Sequence, residues 1–156
     1  MVEIADILSP ASVVLGLKAG HSKRQVLKEM AAHAAAVVEL DAQRLLEALM
    51  ERERLGTTGI GHGIAIPHAR MPELKRLVGL FARLDQPVDF EALDDQPSDL
   101  IFLLLAPDSA DADSLKALAR ISRLLRDPGL QSRLRQEQNR DAVYRMLTQK
   151  PESHAA

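Results

Sequence analysis

Between Arg52 and Arg70 the chain reads RERLGTTGIGHGIAIPHAR, which puts four glycines, two threonines, two histidines and a proline within nineteen residues. These residue types, so spaced, suit the handling of a phosphoryl group. Gly56, Gly59, Gly61 and Gly63 permit positive φ and close backbone approach, so that main-chain N–H groups can turn toward an anion. Thr57 and Thr58 add hydroxyl donors, and Arg52 or Arg54 can supply a planar fork of N–H groups matched to phosphate oxygens. Ile64-Ala65-Ile66 then reads as a short strand closed by Pro67, which has no N–H to give a ladder. His68 sits at that strand end. A neutral imidazole beside an anion-receptive loop has the requirements of a phosphoryl acceptor: a free ring lone pair near neutral pH, and donors for the transferred oxygens. Its other ring nitrogen must then meet an acceptor that fixes the tautomer, and the sequence does not identify that acceptor.

Other chemistries are open to the same residues. His62 and His68, six apart, could be a metal pair, but the loop offers no cysteine and no close set of further ligands. A nucleotide site would require a P-loop or a dinucleotide fingerprint opening a helix, whereas these glycines precede a strand. His68 could also simply close a strand, and Arg52, Glu53 and Arg54 could be a solvated helix end.

GTTGIGHGIAIPHAR resembles the signature around the phosphorylated histidine in the mannitol/fructose-type IIA domains of the bacterial phosphoenolpyruvate-dependent sugar phosphotransferase system, most of all the nitrogen-regulatory (PtsN-type) IIA proteins. The likeness runs from about Ile4 to Leu147. It implies that His68 is the phosphorylated residue, that Arg52 stabilises the phosphate, and that Thr57, Thr58, Gly59, Gly61, His62 and Gly63 form the loop around it. The family's usual second histidine, in a His-Leu pair, is replaced here by Ser114-Leu115. Its accessory role would fall to Ser114, to Lys116 or to His62.

The elements that must position these groups follow from periodicity. Ser22 opens a helix carrying Val26, Leu27, Met30 and Ala34 on one face to about Val38, with a capping-box pattern at Ser22 and Gln25. Asp41 caps a second helix, with Leu45, Leu46 and Leu49 as its stripe, which delivers Arg52 to the loop. Val13–Leu17 reads as an edge strand. The unbroken apolar runs 77–82 and 100–106 imply strands covered on both faces, joined by a polar loop holding Pro87, Asp89, Asp94, Asp95 and Pro97. Asp108 to Asp111 offers caps for a helix that starts at a strand's C-terminal edge, where α/β sheets put ligands, and this suits Ser114 as a neighbour of His68. Lys116, Arg120, Arg123 and Arg126 read as its solvated face, or as a docking face for an acidic partner. Asp127-Pro128 and Asn139 start two more helices.

At 156 residues, with 46% apolar and 27% charged, the composition is that of one globular core built from aliphatic side chains. The expected layout is one domain over residues 1–150 with a disordered tail at 151–156. A net charge of −2 argues against nucleic acid, and the absence of cysteine excludes a disulfide framework and thiolate chemistry while fitting a reducing cytoplasm. The N-terminal nine residues lack the pattern of a secretory signal, and the apolar run 100–106 is too short to span a bilayer. The expected fold is α/β (α+β in some schemes): a three-layer α/β/α sandwich whose mixed sheet has about four or five strands, the mixing being implied by the resemblance. The resemblance further implies a cytoplasmic phosphocarrier that takes a phosphoryl group on His68 from an HPr-like protein and acts mainly as a nitrogen/potassium-type regulator of targets such as transporters or sensor kinases. No metal or cofactor is expected. Two other readings are a sugar-uptake IIA that passes phosphate to a separate IIB cysteine, and a binding module whose His68 is never modified.

Overall fold

The structure, a computed structural model, describes residues 3–18, 20–109 and 111–149; the tail expected beyond residue 150 lies outside them. In chain order the elements are α1 (Ile4–Ile7), a single 3₁₀ turn, β1 (Val13–Leu17), α2 (Lys23–Val38), α3 (Ala42–Leu55), β2 (Gly59–Gly61), β3 (Ile64–Ala65), β4 (His68–Arg70), β5 (Val78–Val88), β6 (Ser98–Ala106), α4 (Asp111–Leu125), α5 (Pro128–Gln136) and α6 (Arg140–Thr148). Local chemistry sets the helix starts. Ser22, Asp41, Asp127 and Asn139 each accept a hydrogen bond from a first-turn backbone N–H, as their residue types predict.

The sheet is mixed, in the order β1-β5-β6-β3-β2, with β4 also paired to β6. β6 is its centre: it runs antiparallel to β5 and parallel to both β3 and β4. The continuous apolar run of β6 is explained by its two faces. Ile101, Leu103 and Leu105 join the core under α2 and α3, while Leu100, Phe102 and Leu104 join the core under α1, α4, α5 and α6. Burying each such side chain contributes roughly 1.5–3 kcal/mol, so the floor beneath His68 is held from both sides. This is the expected three-layer α/β/α sandwich.

Three local readings change. The sheet has six strands, because the glycine-rich stretch is itself strand: β2 pairs antiparallel with β3. Pro67 does not end the pairing with β6. It forfeits its own donor, yet its carbonyl accepts from Leu104 N at 2.9 Å and the ladder resumes at His68 opposite Leu104. β5 also continues past the apolar run to Val88, which pairs with Ser98 after a register shift; its Asp85, Gln86 and Pro87 are exposed, so hydropathy alone could not mark them as strand. Among the described residues no helix is long and apolar enough to cross a membrane.

Candidate phosphoryl-acceptor site

β4 sets His68 against the C-terminal half of β6, half-buried, with α3 passing alongside. The acceptor missing from the sequence reading is two residues upstream. Nδ1–H of His68 donates to the carbonyl of Ile66 at 2.9 Å. A carbonyl can only accept, so the proton belongs on Nδ1 and the lone pair on Nε2. Onto that lone pair the Nε–H of Arg52 donates at 3.2 Å, while another guanidinium N–H donates to the carbonyl of Gly56 at 2.8 Å. The imidazole is held below its ordinary pKa, first by burial; the Ile66 carbonyl opposes this, the Arg52 cation adds to it, and the Glu53 carboxylate opposes it. His68 is therefore favoured in its neutral form at pH 7, with its lone pair on Nε2.

His68 and Arg52 open onto a cleft of about 480 Å³ that Ser114, from the first turns of α4, also lines. The Ser114 side chain is buried and its Oγ has no hydrogen-bond partner among the described residues. Leu55 and Leu115 line the same cleft and are 83% and 69% exposed, so its lips are apolar and open to a macromolecule. Arg70 is a further lining cation. Lys116 is exposed on α4. Arg120, expected on the solvated face, instead donates to Glu3 at 2.6 Å and ties α4 to the start of α1.

The rest of the predicted loop is arranged differently. Gly61, His62 and Gly63 form the turn of the β2–β3 hairpin, with φ of 93°, 58° and 82°; two central residues at positive φ match a primed two-residue turn. Positive φ here serves that turn. Its tip is tied down by Asp94, which accepts from His62 N at 2.9 Å, and by Arg135, which donates to the His62 carbonyl at 3.1 Å while gripping Asp99. Along β6 the Gly63 carbonyl accepts from the N–H of Asp99, whereas His68 stands opposite Leu104. Five residues of strand, about 16 Å, therefore separate the turn from the imidazole. The two threonines are closer but already engaged. The hydroxyl of Thr57 donates to the Phe90 carbonyl, and the backbone N–H and hydroxyl of Thr58 both donate to Glu53. Gly59 serves packing: a Cβ there would meet the Phe90 Cβ at 3.0 Å.

Glu53 was open to reading as part of a solvated helix end, but it is buried. Besides the two Thr58 donors it takes Lys23 Nζ at 3.1 Å. Burial works against the Lys23 charge, but Glu53 and Glu91 outweigh it and raise the ammonium above its ordinary pKa. An acidic residue two positions from the end of α3 was the available signal, because its sign opposes the helix dipole there. Among the described residues no three His, Asp or Glu side chains converge as a metal site would require.

Comparison with known proteins bears on the family and the fold. The family model described as "Phosphoenolpyruvate-dependent sugar phosphotransferase system, EIIA 2" matches residues 6–150. A nitrogen regulatory protein of Bradyrhizobium diazoefficiens is 49% identical over 152 residues, covering 97% of this chain and 99% of that protein. One from Pseudomonas aeruginosa is 38% identical over 148 residues, covering 94% and 96%. The crystal structure of the nitrogen regulatory protein IIA-Ntr from Neisseria meningitidis superposes with a TM-score of 0.88 at 32% identity, covering 93% of this chain and 99% of that one.

Proposed function

This chain belongs to the EIIA 2 family of the phosphoenolpyruvate-dependent sugar phosphotransferase system, and from that premise we propose that His68 is its phosphoryl acceptor and that the phosphorylated state is a regulatory signal. The observation that carries the reading is the polarity of the ring: Nδ1–H is committed to Ile66, and the Nε2 lone pair faces an open cleft with a guanidinium already in place.

The donor is an HPr-like protein bearing phosphohistidine. Its apolar docking surface covers Leu55 and Leu115 and excludes water from the cleft. Nε2 of His68 attacks phosphorus as the donor's P–N bond breaks; the electron pair of that bond stays on the donor imidazole, and the new bond is P–Nε2. Arg52 occupies the line of attack in the resting state, so it shifts from Nε2 onto the phosphoryl oxygens, where a charge-assisted fork is stronger than a bond to a neutral ring nitrogen. Little covalent machinery is needed, because phosphoryl transfer depends mainly on positioning and charge stabilisation. The Ser114 hydroxyl, which lines the same cleft and has no partner among the described residues, serves in this reading as the accessory donor. The phosphorylated site gains about −1.5 to −2 charges, which changes which cytoplasmic partners, such as transporters or sensor kinases, can dock. The near end-to-end match to nitrogen regulatory proteins supports regulation over sugar uptake.

Incubation with phosphoenolpyruvate, the first enzyme of the system and an HPr-like carrier should add one phosphoryl mass to the wild type and none to His68→Ala. An unmodified wild type, or a modified His68→Ala, overturns the proposal. Onward transfer to a IIB cysteine would replace regulation by uptake.

A further inference from the structure

The resting place of Arg52 is set by its neighbour in sequence. Glu53 lies in the last turn of α3, yet its side chain is only 4% exposed. A carboxylate gains nothing from that position in the helix, since the C-terminal end of the dipole is negative, and burying it is costly unless donors meet it. Three do. The N–H of Thr58 at 3.3 Å and the Thr58 hydroxyl reach it from the chain leaving α3, and Lys23 Nζ reaches it at 3.1 Å from the first turn of α2. Gly56, whose carbonyl holds the guanidinium of Arg52, lies inside the short loop that the Glu53–Thr58 contact closes. Lys23 also meets Glu91 at 3.1 Å and lies 5.9 Å from the Phe90 ring, and the Thr57 hydroxyl donates to the Phe90 carbonyl. The start of α2 and the end of α3 thereby meet on one carboxylate, and Lys23 and Thr57 carry the link on to the loop after β5.

We propose that Glu53 is a positioning residue for phosphoryl acceptance: its carboxylate fixes the Glu53–Thr58 corner, and so holds the Gly56 carbonyl and the Arg52 backbone where the guanidinium meets Nε2 of His68. Glu53 itself makes no bond to the transferred group. The kinetic part of this inference rests on the phosphocarrier reading; the geometric part does not.

Glu53→Gln, made in the full-length chain alone and in an Arg52→Ala background, tests it. If Glu53 acts through Arg52, the single substitution slows phosphoryl uptake by about tenfold or more at an unchanged KM for the donor. The same substitution then costs less than about twofold when Arg52 is already gone. The nitrogen-15 shift of His68 Nε2, read with no donor present, should move with Glu53→Gln toward its value in Arg52→Ala. Uptake at the wild-type rate, an equal loss in both backgrounds, or an unmoved Nε2 shift overturns the proposal. A wild type that takes no phosphate while the Nε2 shift still moves would remove the phosphocarrier reading and leave the positioning role standing. If Glu53→Gln does not fold, Thr58→Val, which deletes only a hydroxyl donor, takes its place: slower uptake that depends on Arg52 supports the role, and uptake equal to wild type refutes it.

Discussion

His62 and His68 lie at opposite ends of one short segment, and the protein treats them in opposite ways. Around His62 the backbone is already answered: Asp94 accepts from its N–H, Arg135 donates to its carbonyl, and Asp99 takes the charge of Arg135. The Asp94 carboxyl is held below its usual pKa by the His62 N–H, with the Gln96 N–H assisting. Around His68 the arrangement is incomplete. Nε2 holds its lone pair against the Arg52 cation, Ser114 Oγ has no partner among the described residues, and two leucines stand in solvent. A histidine stands at each end, so residue type alone does not tell the two apart. The difference is between a network that closes on itself and one that waits for a further group, and only the second can do chemistry.

Substitutions at the two ends should therefore separate cleanly. The largest contrast is His68→Ala against His62→Ala: the first should abolish phosphoryl uptake measured by intact mass, and the second should leave its rate within about twofold. Loss of uptake in His62→Ala would mean that the hairpin turn reaches the site after all. Next is Arg52→Ala, expected to slow uptake by about 10²-fold, the usual scale for removing one preorganised charge-stabilising donor. Arg52→Lys should recover only part of that, because an ammonium lacks the planar fork. At the other end, Arg135→Ala should lower stability by about 1 kcal/mol in urea unfolding, since the Arg135–Asp99 pair is partly exposed; uptake kinetics should stay unchanged. The smallest effect is one of pH. His68 titrates below its ordinary 6.5 in the folded chain, so the unfolded chain binds the extra proton first. The stabilisation from keeping this ring neutral is complete above pH 6.5 and fades as pH falls from there toward the folded pKa. The slope of stability against pH in that window should flatten in His68→Gln, and a slope equal to wild type would contradict the burial argument.

Much of the frame was legible because it depends on near neighbours. Four helix starts followed from Ser22, Asp41, Asp127 and Asn139, whose caps reach only two or three residues. The central strand followed from an apolar run buried on both faces, and membership of the family followed from GIAIPH and its surroundings. What escaped depends on distant partners. The burial of Glu53 needs Lys23, thirty residues upstream, and Arg120 meets Glu3 across nearly the whole chain. The glycine turn looked like an anion cradle because positive φ suits both a nest and a primed hairpin. Only strand register, which puts Gly63 beside Asp99 and His68 beside Leu104, tells them apart.

The bond from Nδ1 to Ile66 spans two residues, from the link after β3 to the first residue of β4, which makes the orientation of the ring's charge a property of one small piece of chain. The guanidinium that faces it arrives from a separate helix. A partner that pulls on α3 can therefore detach the cation and alter the reactivity of the ring, yet it cannot turn the imidazole around. On the proposed phosphocarrier reading, control over this centre comes from the arginine's side, while the atom that would attack is set by its own backbone.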